Sequence, residues 1–338
     1  MSFFGGGTDF PEFFNNYGAS VLSTTFDKYC YVTVRHLPPF FDYKSELVYS
    51  ERERVDDWKE ISHPAIRNAM EWKRMYDIRL TYEADLPARS GLGTSSSFAV
   101  GMLSAFSAVK GKHIDKKTLA EQAIYLERIL CKEDGGWQDQ IAVSYGGLNR
   151  IDFKEGDFRV KPIVIKENKK KELQENLMLF FSGYSHFSSD VQKSFVKNID
   201  AKIIELKEIR NLVDEAENIL IEKELDEFGR LLDYSWQLKR GLSNNISTDY
   251  IDNIYIRAKK AGALGGKILG AGGGGFILLY VEKDKQKNVR NALSELLEVP
   301  FTFDTNGTQI MYYSAETYTL NDEQYLYEKN LHLQNKSF

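Results

Sequence analysis

A short segment rich in glycine and hydroxyl residues has the composition of an anion-binding loop. Residues 87–97 read PARSGLGTSSS. Glycines let a backbone approach an anion closely, and hydroxyl groups at a helix start add donors beside the partial positive charge of the helix N terminus. The alternative is a flexible serine-rich turn that caps a helix. The candidate phosphate ligands are Pro87, Arg89, Ser90, Gly91, Leu92, Gly93, Thr94, Ser95 and Ser96.

The flanking residues decide between these two interpretations. Residues 78–84 alternate in polarity and predict a strand, whereas Phe98, Met102 and Phe106 recur at helical spacing. A helix is therefore expected to begin near Ser95, which favours the anion site. The segment is not a Walker A loop, since no Gly-Lys-Ser/Thr follows, and it lacks the G-x-G-x-x-G dinucleotide pattern.

Two carboxylates follow within one helix and its loop. Glu127 falls within the apolar arc of a helix predicted from the N-cap Asp115 to Cys131. A carboxylate there needs a partner, which is either a magnesium ion or a salt bridge from a nearby Arg or Lys. Asp139 stands twelve residues on in the glycine-rich loop GGWQDQ, where an aspartate is usually a turn residue.

A second glycine run occurs near the C terminus. Residues 270–275 read GAGGGG and precede an apolar strand. Such a run fits either a tight turn before a buried strand or a close approach of the backbone to a ligand. The sequence leaves both interpretations open.

Composition excludes several classes of protein. The 338 residues carry a net charge of −5 without a dense basic block, which argues against a nucleic-acid partner. Two cysteines cannot form a disulfide framework, and we expect both to be reduced in the cytoplasm. The chain shows no secretory signal and no apolar run long enough to span a membrane.

The remaining pattern mixes strands and helices without a regular βαβ period, which favours the α+β class. The other predicted strands are 21–34, 148–153, 176–181 and 276–281. The other predicted helices are 191–242, 248–261 and 284–297. The charged stretch 166–175 is the expected domain boundary, with the lysine run 169–171 in a solvated loop.

Three segments together resemble the superfamily of galactokinase, homoserine kinase, mevalonate kinase and phosphomevalonate kinase (GHMP). They are FFGGGTD at 3–9, the segment 87–97, and 267–276. Within this superfamily the chain is most similar to D-glycero-D-manno-heptose 7-phosphate kinases, through SFFGGGTDFPEFF, GASVLSTTFDKYCYV, EDGGWQDQIAVSYGG and AGALGGKILGAGGGGF. Bifunctional fucokinases share a similar GGWQDQ segment and are the nearest rival family.

The resemblance assigns roles to individual residues. It implies that Ser95 and Glu127 bind magnesium, although the loop from Glu127 to the aspartate is one residue longer than in mevalonate kinase. It also implies that Asp139 is the general base for the attacking hydroxyl. The implied substrate-binding residues are Gly7, Thr8, Asp9, Lys28, Gly272, Gly273 and Gly274. The cation that meets a distal substrate phosphate is left open among Arg89, Lys28, Lys239 and Arg240.

The implied fold has two domains. These are an N-terminal ATP-binding domain like the second domain of ribosomal protein S5, at 1–165, and a ferredoxin-like C-terminal domain at 170–338. The implied reaction uses ATP and Mg²⁺ to phosphorylate the anomeric hydroxyl of D-glycero-D-manno-heptose 7-phosphate. The alternatives are a kinase for a free sugar such as fucose, or a sugar- and ATP-binding sensor that has lost catalysis. We expect a cytoplasmic monomer or homodimer.

Two positions depart from the family pattern. The first motif has an arginine nine residues before its aspartate, and counting back from Asp9 reaches one position before Met1. We therefore expect the chain to begin at an internal start codon. His186 stands where heptose kinases are expected to carry arginine, and its alternative interpretation is a surface loop residue.

Overall fold

The fold was analysed in a computed structural model of the 338-residue chain. The residues that the structure describes are 1–38, 40–88, 90–183, 194–243 and 245–314. Arg89 and His186, which the sequence analysis singled out, lie outside these ranges.

The described strands form mainly antiparallel sheets. They are β1 Ser2–Phe4, β2 Ala19–Ser23, β3 Thr25–Phe26, β4 Cys30–His36, β5 Ser45–Val48, β6 Arg52–Val55, β7 Ile78–Ala84, β8 Asn149–Lys154, β9 Asp157–Pro162, β10 Leu177–Phe181, β11 Gly265–Ile268, β12 Phe276–Tyr280, β13 Leu297–Glu298 and β14 Phe303–Asp304. The sheet orders are β1-β2-β8-β9, β4-β7-β5-β6, β11-β12-β10-β13 and β14-β3. Among the described strands only β5 and β7 pair in parallel.

The helices lie between and beside these sheets. The α-helices are Pro11–Tyr17, Pro64–Lys73, Thr94–Val109, Lys116–Ile124, Gln138–Tyr145, Glu167–Glu175, Ile203–Glu222, Leu225–Arg240, Asp249–Ala261 and Gln286–Ala292. A π-helix spans Tyr125–Leu130, short 3₁₀ turns span Trp58–Glu60 and Asp200–Lys202, and residues 194–198 are helical. This mixture confirms the α+β class.

Three clusters of buried hydrophobic side chains hold the described elements in place. Helix Thr94–Val109 packs on β4, and its buried Phe98, Met102 and Phe106 form one core with β7, as the helical spacing predicts. The helix pair Ile203–Glu222 and Leu225–Arg240 contacts β1 and β2 of one sheet and β11 of another. This pair therefore joins the two halves of the chain.

Several predicted boundaries were wrong. The expected strand 21–34 is divided into β2, β3 and β4, because polar Asp27 and Lys28 turn the chain and Asp27 bonds to Thr302. The expected helix 191–242 is interrupted at Lys223, whose backbone is extended. The expected helix 284–297 spans only Gln286–Ala292.

The charged stretch at 166–175 is helical rather than a loop. Lys169 at its centre donates to the carbonyl oxygens of Ile219 and Lys223, so the lysine run is partly anchored. The division into 1–165 and 170–338 stays a prediction. Within the described ranges, no helix is both long enough and apolar enough to cross a bilayer.

The last described segment returns to the first half of the chain. Strand β14 pairs with β3, and the Thr308 amide donates to the Val143 carbonyl at 2.9 Å. Beside it, a Cβ on Gly307 would lie 2.3 Å from the Ser144 oxygen, and one on Gly146 would lie 2.0 Å from the Gly307 nitrogen. These glycines allow the two backbones to pack in direct contact.

Candidate active site

The expected anion-binding loop joins β7 to helix Thr94–Val109. Gly91 and Gly93 have φ values of +82° and +70°, a left-handed conformation that glycine adopts at little cost. The helix begins at Thr94, one residue before the expected start. Ser90 is fully buried, and its hydroxyl has no hydrogen-bond partner among the described residues. This buried hydroxyl, three residues before the helix N-cap Gly93, is a candidate donor for an anionic ligand.

The other loop residues differ in their surroundings. Pro87 and Ser95 are exposed, whereas Ser96 is buried. Leu92, Gly93 and Thr94 line a cavity of 810 Å³. The loop thus combines open positions with buried hydroxyl groups.

Glu127 lies in the π-helix that continues helix Lys116–Ile124. Its side chain is 4% exposed and accepts hydrogen bonds from Ser95 at 3.3 Å, Ser96 at 3.0 Å and the Gln140 side-chain amide. None of the ion pairs between described residues involves Glu127, so the salt-bridge alternative does not describe this structure. Burial raises the pKa of Glu127 to about 7.

Asp139 lies in the first turn of helix Gln138–Tyr145, beside the anion-binding loop. A Cβ on Gly93 would lie 3.2 Å from Asp139 Cγ. Burial raises the pKa of Asp139, while the positive charges of the Met1 amino group and Lys239 lower it. The Asp139 carboxylate therefore lies beside the loop, and Asp139 lines the same 810 Å³ cavity as the loop residues.

The first motif is held against the GGWQDQ loop through Asp9. This fully buried carboxylate accepts hydrogen bonds from the Gly7 amide at 3.0 Å and the Gln138 amide at 3.1 Å. Burial raises its pKa to about 6. A Cβ on Gly136 would lie 1.9 Å from Asp9 Oδ2, so glycine is required there. Thr8 is also buried, and its hydroxyl donates to the Gly5 carbonyl at 2.7 Å.

The second glycine run packs against protein backbone on several sides. A Cβ on Gly270 would lie 2.5 Å from Gly91 Cα, and one on Gly275 would lie 2.2 Å from the Ser90 oxygen. One on Gly272 would lie 2.6 Å from the Ile246 oxygen, which accepts a hydrogen bond from the Gly273 amide. Gly274 lies within the same turn. The glycines therefore bring this turn into contact with the anion-binding loop.

The cations proposed for a distal phosphate have different partners. Lys28 lines the cavity and pairs with Asp27 at 3.0 Å, and Arg240 pairs with Asp252 at 2.5 Å. Lys239 donates to the Gly270 carbonyl oxygen at 2.6 Å. Loss of hydration lowers the pKa of Lys239 to about 8, and the charges of Asp9 and Asp139 oppose this shift.

Two site residues were missed by sequence reasoning. Gln140 binds Glu127, and Lys267, only 4% exposed, donates to the Phe3 carbonyl oxygen at 2.9 Å. Burial lowers the pKa of Lys267 well below its usual range. A lysine inside the apolar stretch GGKILG was a signal for a buried charge, since such a residue is rarely buried without a specific contact. No feature of the sequence indicated that Gln140 would contact Glu127.

The family comparison agrees with this geometry. The model of the GHMP kinases N-terminal domain matches residues 61–147, and that of the GHMP kinases C-terminal domain matches residues 204–299. The chain belongs to the GHMP kinase family. Like other GHMP kinases, it is an ATP-dependent phosphotransferase with the two-domain fold of that family.

Individual relatives of this GHMP kinase include enzymes named for sugars. D-glycero-alpha-D-manno-heptose 7-phosphate kinase from Campylobacter jejuni is 27% identical over 304 residues, which are 86% of this chain and 89% of that protein. The bifunctional fucokinase/GDP-fucose pyrophosphorylase from Arabidopsis thaliana is 27% identical over 64% of this chain, which spans only 21% of that protein.

A solved structure shares the fold of this GHMP kinase. The crystal structure of a D-glycero-D-manno-heptose 1-phosphate kinase from Bacteroides thetaiotaomicron has a TM-score of 0.74 and 23% identity. The similarity covers 93% of this chain and 97% of the other.

Proposed function

We propose that this GHMP kinase is a sugar kinase that transfers the γ-phosphoryl group of ATP to the anomeric hydroxyl of D-glycero-D-manno-heptose 7-phosphate. The product is the 1,7-bisphosphate. The observation that carries the proposal is the contact of Asp139 with Gly93, which puts a carboxylate beside a loop suited to polyphosphate. Similarity to the Campylobacter heptose 7-phosphate kinase supports the choice of sugar.

The anion-binding loop is the proposed site for the ATP phosphates. The backbone around Gly91 and Gly93 and the hydroxyl of Ser90 are the donors for phosphate oxygens, and the N terminus of helix Thr94–Val109 adds partial positive charge. Pro87, Leu92, Thr94 and Ser96 shape the loop and its mouth. In this role the loop positions the donor for attack by the acceptor.

Asp139 is the proposed general base. It accepts the proton of the anomeric hydroxyl as that oxygen forms a bond to the γ-phosphorus, while the bond to the β,γ-bridging oxygen breaks and ADP leaves. A carboxylate whose pKa is raised by burial is a stronger base than one in water. The contact with Gly93 keeps this base beside the donor loop.

Ser95 and Glu127 are the proposed magnesium ligands. The described residues hold no cluster of three or more acidic, His or Cys side chains suited to a metal. One carboxylate with adjacent hydroxyls nevertheless fits Mg²⁺, which in kinases takes most of its ligands from water and substrate phosphates. When bound, the ion neutralises charge on the β- and γ-phosphates. Gln140 and Ser96 orient the Glu127 carboxylate.

The acceptor sugar is proposed to bind beside Asp139. Asp9, Gly7 and the turn at Gly272, Gly273 and Gly274 are the proposed contacts, with Lys28 at the cavity wall. Thr8 supports this site through its bond to Gly5. We further propose that the enzyme acts in the cytoplasm as a monomer or homodimer.

A phosphorylation screen tests the proposal. The chain is incubated with ATP, Mg²⁺ and a panel of free sugars and sugar 7-phosphates, and ADP release is measured with sugar product detected by mass spectrometry. We expect the heptose 7-phosphate to give the highest kcat/KM. A preference for free fucose would select the second candidate, which the similarity to fucokinases favours. ATP binding without turnover on any sugar would indicate a sensor.

A further inference from the structure

Two side-chain oxygens beside the first motif are buried without a hydrogen-bond partner among the described residues. They are Ser2 Oγ on β1 and Gln138 Oε1 at the start of helix Gln138–Tyr145. Most buried polar atoms in folded proteins are paired, so each unpaired one calls for an explanation. Neither side chain has a role in the phosphoryl transfer described above.

The two oxygens border one small gap, at Gly6. A Cβ on Gly6 would lie 3.4 Å from Ser2 Oγ and 3.5 Å from Gln138 Oε1, with Gln138 Nε2 at 3.7 Å. These are ordinary van der Waals distances, so a methyl group would fit there. The φ of Gly6 also lies outside the left-handed region. Neither the backbone nor a clash therefore requires glycine at this position, and what glycine leaves there is space.

The gap adjoins residues proposed to bind the acceptor. Gly6 precedes Gly7, whose amide donates to Asp9 Oδ1 at 3.0 Å. The Gln138 amide donates to the other oxygen of Asp9 at 3.1 Å, and Asp139, the proposed base, follows Gln138 directly. An acceptor that contacts Asp9 and Gly7 would therefore be next to both unpaired oxygens.

The atoms at the gap suit hydroxyl groups. The Ser2 hydroxyl can donate or accept, and the Gln138 amide has an accepting oxygen and two donating hydrogens. These uncharged donors and acceptors match a sugar hydroxyl, which itself both donates and accepts. Ser23, the strand partner of Ser2, adds another buried hydroxyl without a partner among the described residues. Ser2, Gly6 and Gln138 are all partly exposed, so the gap is near the protein surface.

We propose that Gln138 and Ser2, with the space left by Gly6, form a subsite for hydroxyl groups of the acceptor sugar, in which Gln138 determines specificity. This inference rests on the proposed sugar kinase function and adds to it a means of selecting the sugar. A site built to bind a hydroxyl group rejects an analogue that lacks it, because the buried polar atoms of the site are then left unpaired.

The binding test is calorimetry with D-glycero-D-manno-heptose 7-phosphate. Gln138→Met keeps the backbone amide that binds Asp9, Ser2→Ala removes the hydroxyl, and Gly6→Ala fills the gap without a clash. Each should raise the Kd for the sugar phosphate about tenfold and leave the Kd for ATP unchanged.

Two matched controls should leave both Kd values unchanged. Gln237→Met alters an exposed glutamine. Gly241→Ala adds a Cβ at a residue whose φ is −75° and whose nearest neighbouring atom would lie 3.4 Å away, as at Gly6.

The specificity test compares kcat/KM for the heptose 7-phosphate and a set of its singly deoxygenated analogues. The native chain should react about 10²-fold or more slowly with the analogue that lacks the recognised hydroxyl. Gln138→Met should react with that analogue and with the parent sugar at nearly equal kcat/KM. An equal loss of rate with every sugar would indicate a merely structural role and contradict the proposal.

The subsite and the kinase function fail in different ways. If the native chain phosphorylates no sugar, the proposed function fails, and calorimetry with the same sugars still decides the subsite. Sugar binding that weakens in Gln138→Met and Gly6→Ala supports it. Native sugar affinity in both folded variants, or no sugar binding by the native chain, would show that the gap holds only water and would overturn the inference.

Discussion

Gly91 and Gly270 pack backbone against backbone. A Cβ on Gly91 would lie 2.6 Å from the Leu269 oxygen, and one on Gly270 would lie 2.5 Å from Gly91 Cα. The anion-binding loop and the second glycine run lie far apart in sequence, but their backbones therefore pack directly against each other. This contact explains why both runs need glycine, whichever ligand they bind.

Substitution Gly270→Ala should separate the two runs. The residue has a φ of +73°, so alanine adds strain of about 1–2 kcal/mol to the steric clash with Gly91. We expect a lower free energy of unfolding in urea and a weaker ATP affinity by calorimetry. Gly111→Ala is a matched control, because its φ is +63° and nothing lies within 4 Å of its added Cβ. Equal effects in both variants would show that the Gly91 contact is unimportant.

Substitution Gly93→Val should impair nucleotide binding in a folded protein. The added side chain at a φ of +70° meets Asp139 and fills the mouth of the loop. We expect the Kd for ATP to rise by about tenfold or more, the effect of losing roughly 1.4 kcal/mol of binding energy. Calorimetry on Gly93→Val and Gly111→Val measures this. Normal ATP affinity in a folded Gly93→Val protein would remove the loop from the ATP site.

Substitution Asp139→Asn should separate catalysis from binding. A general base acts in the transition state, so we expect kcat to fall about 10²- to 10⁴-fold with the ATP Kd nearly unchanged. Steady-state kinetics and calorimetry give the two quantities, with exposed Asp200→Asn as the control. Turnover near the native rate would make Asp139 a turn residue only.

Substitution Glu127→Gln should change magnesium dependence. If Glu127 binds the metal, the Mg²⁺ concentration for half-maximal rate should rise by about tenfold or more. Kinetic titration with Mg²⁺ at fixed ATP measures this, and exposed Glu222→Gln is the control. An unchanged requirement would leave Glu127 as a structural partner of Ser96 and Gln140.

The same variant should show a pH-dependent gain in stability. The pKa of Glu127 is raised from 4.5 to about 7, so the folded state binds the proton more tightly than the unfolded state between these values. The native protein therefore loses stability from this group as pH rises through that window. We expect the Tm of Glu127→Gln to exceed that of the native chain at about pH 8 and the difference to shrink towards about pH 4.5. A constant difference across pH would contradict this pKa.

Local sequence patterns predicted the parts of the site that short segments encode. Strand β7, helix Thr94–Val109 and the glycines between them could be predicted, because side-chain periodicity and glycine conformation depend on a few neighbouring residues. The contact of Gln140 with Glu127 could not be predicted, because it depends on the packing of two helices. The contact of Lys267 with the Phe3 carbonyl oxygen likewise depends on long-range folding.

The predicted boundaries failed where tertiary contacts override propensity. Residues 21–34 are rich in β-branched and aromatic side chains, but Asp27 is held by Thr302 from the far end of the chain and the strand is interrupted there. The glycine run at 270–275 was equally ambiguous, since its close neighbours are Ser90, Gly91 and Ile246. No local pattern specifies such partners.

The pairing of β14 with β3 and the contact between Gly146 and Gly307 tie the end of the described chain to its first half. These contacts limit how the sequence of this kinase can be recombined with that of a relative. Asp304 and residues 306–314 come from the end of the described chain, yet they line the same cavity as Asp139. A hybrid that joins the first half of one family member to the second half of another would therefore build this cavity from both parents. Residues that pack together across this cavity would then come from different parents, so recombination at the midpoint of the gene would disturb the packing around Asp139.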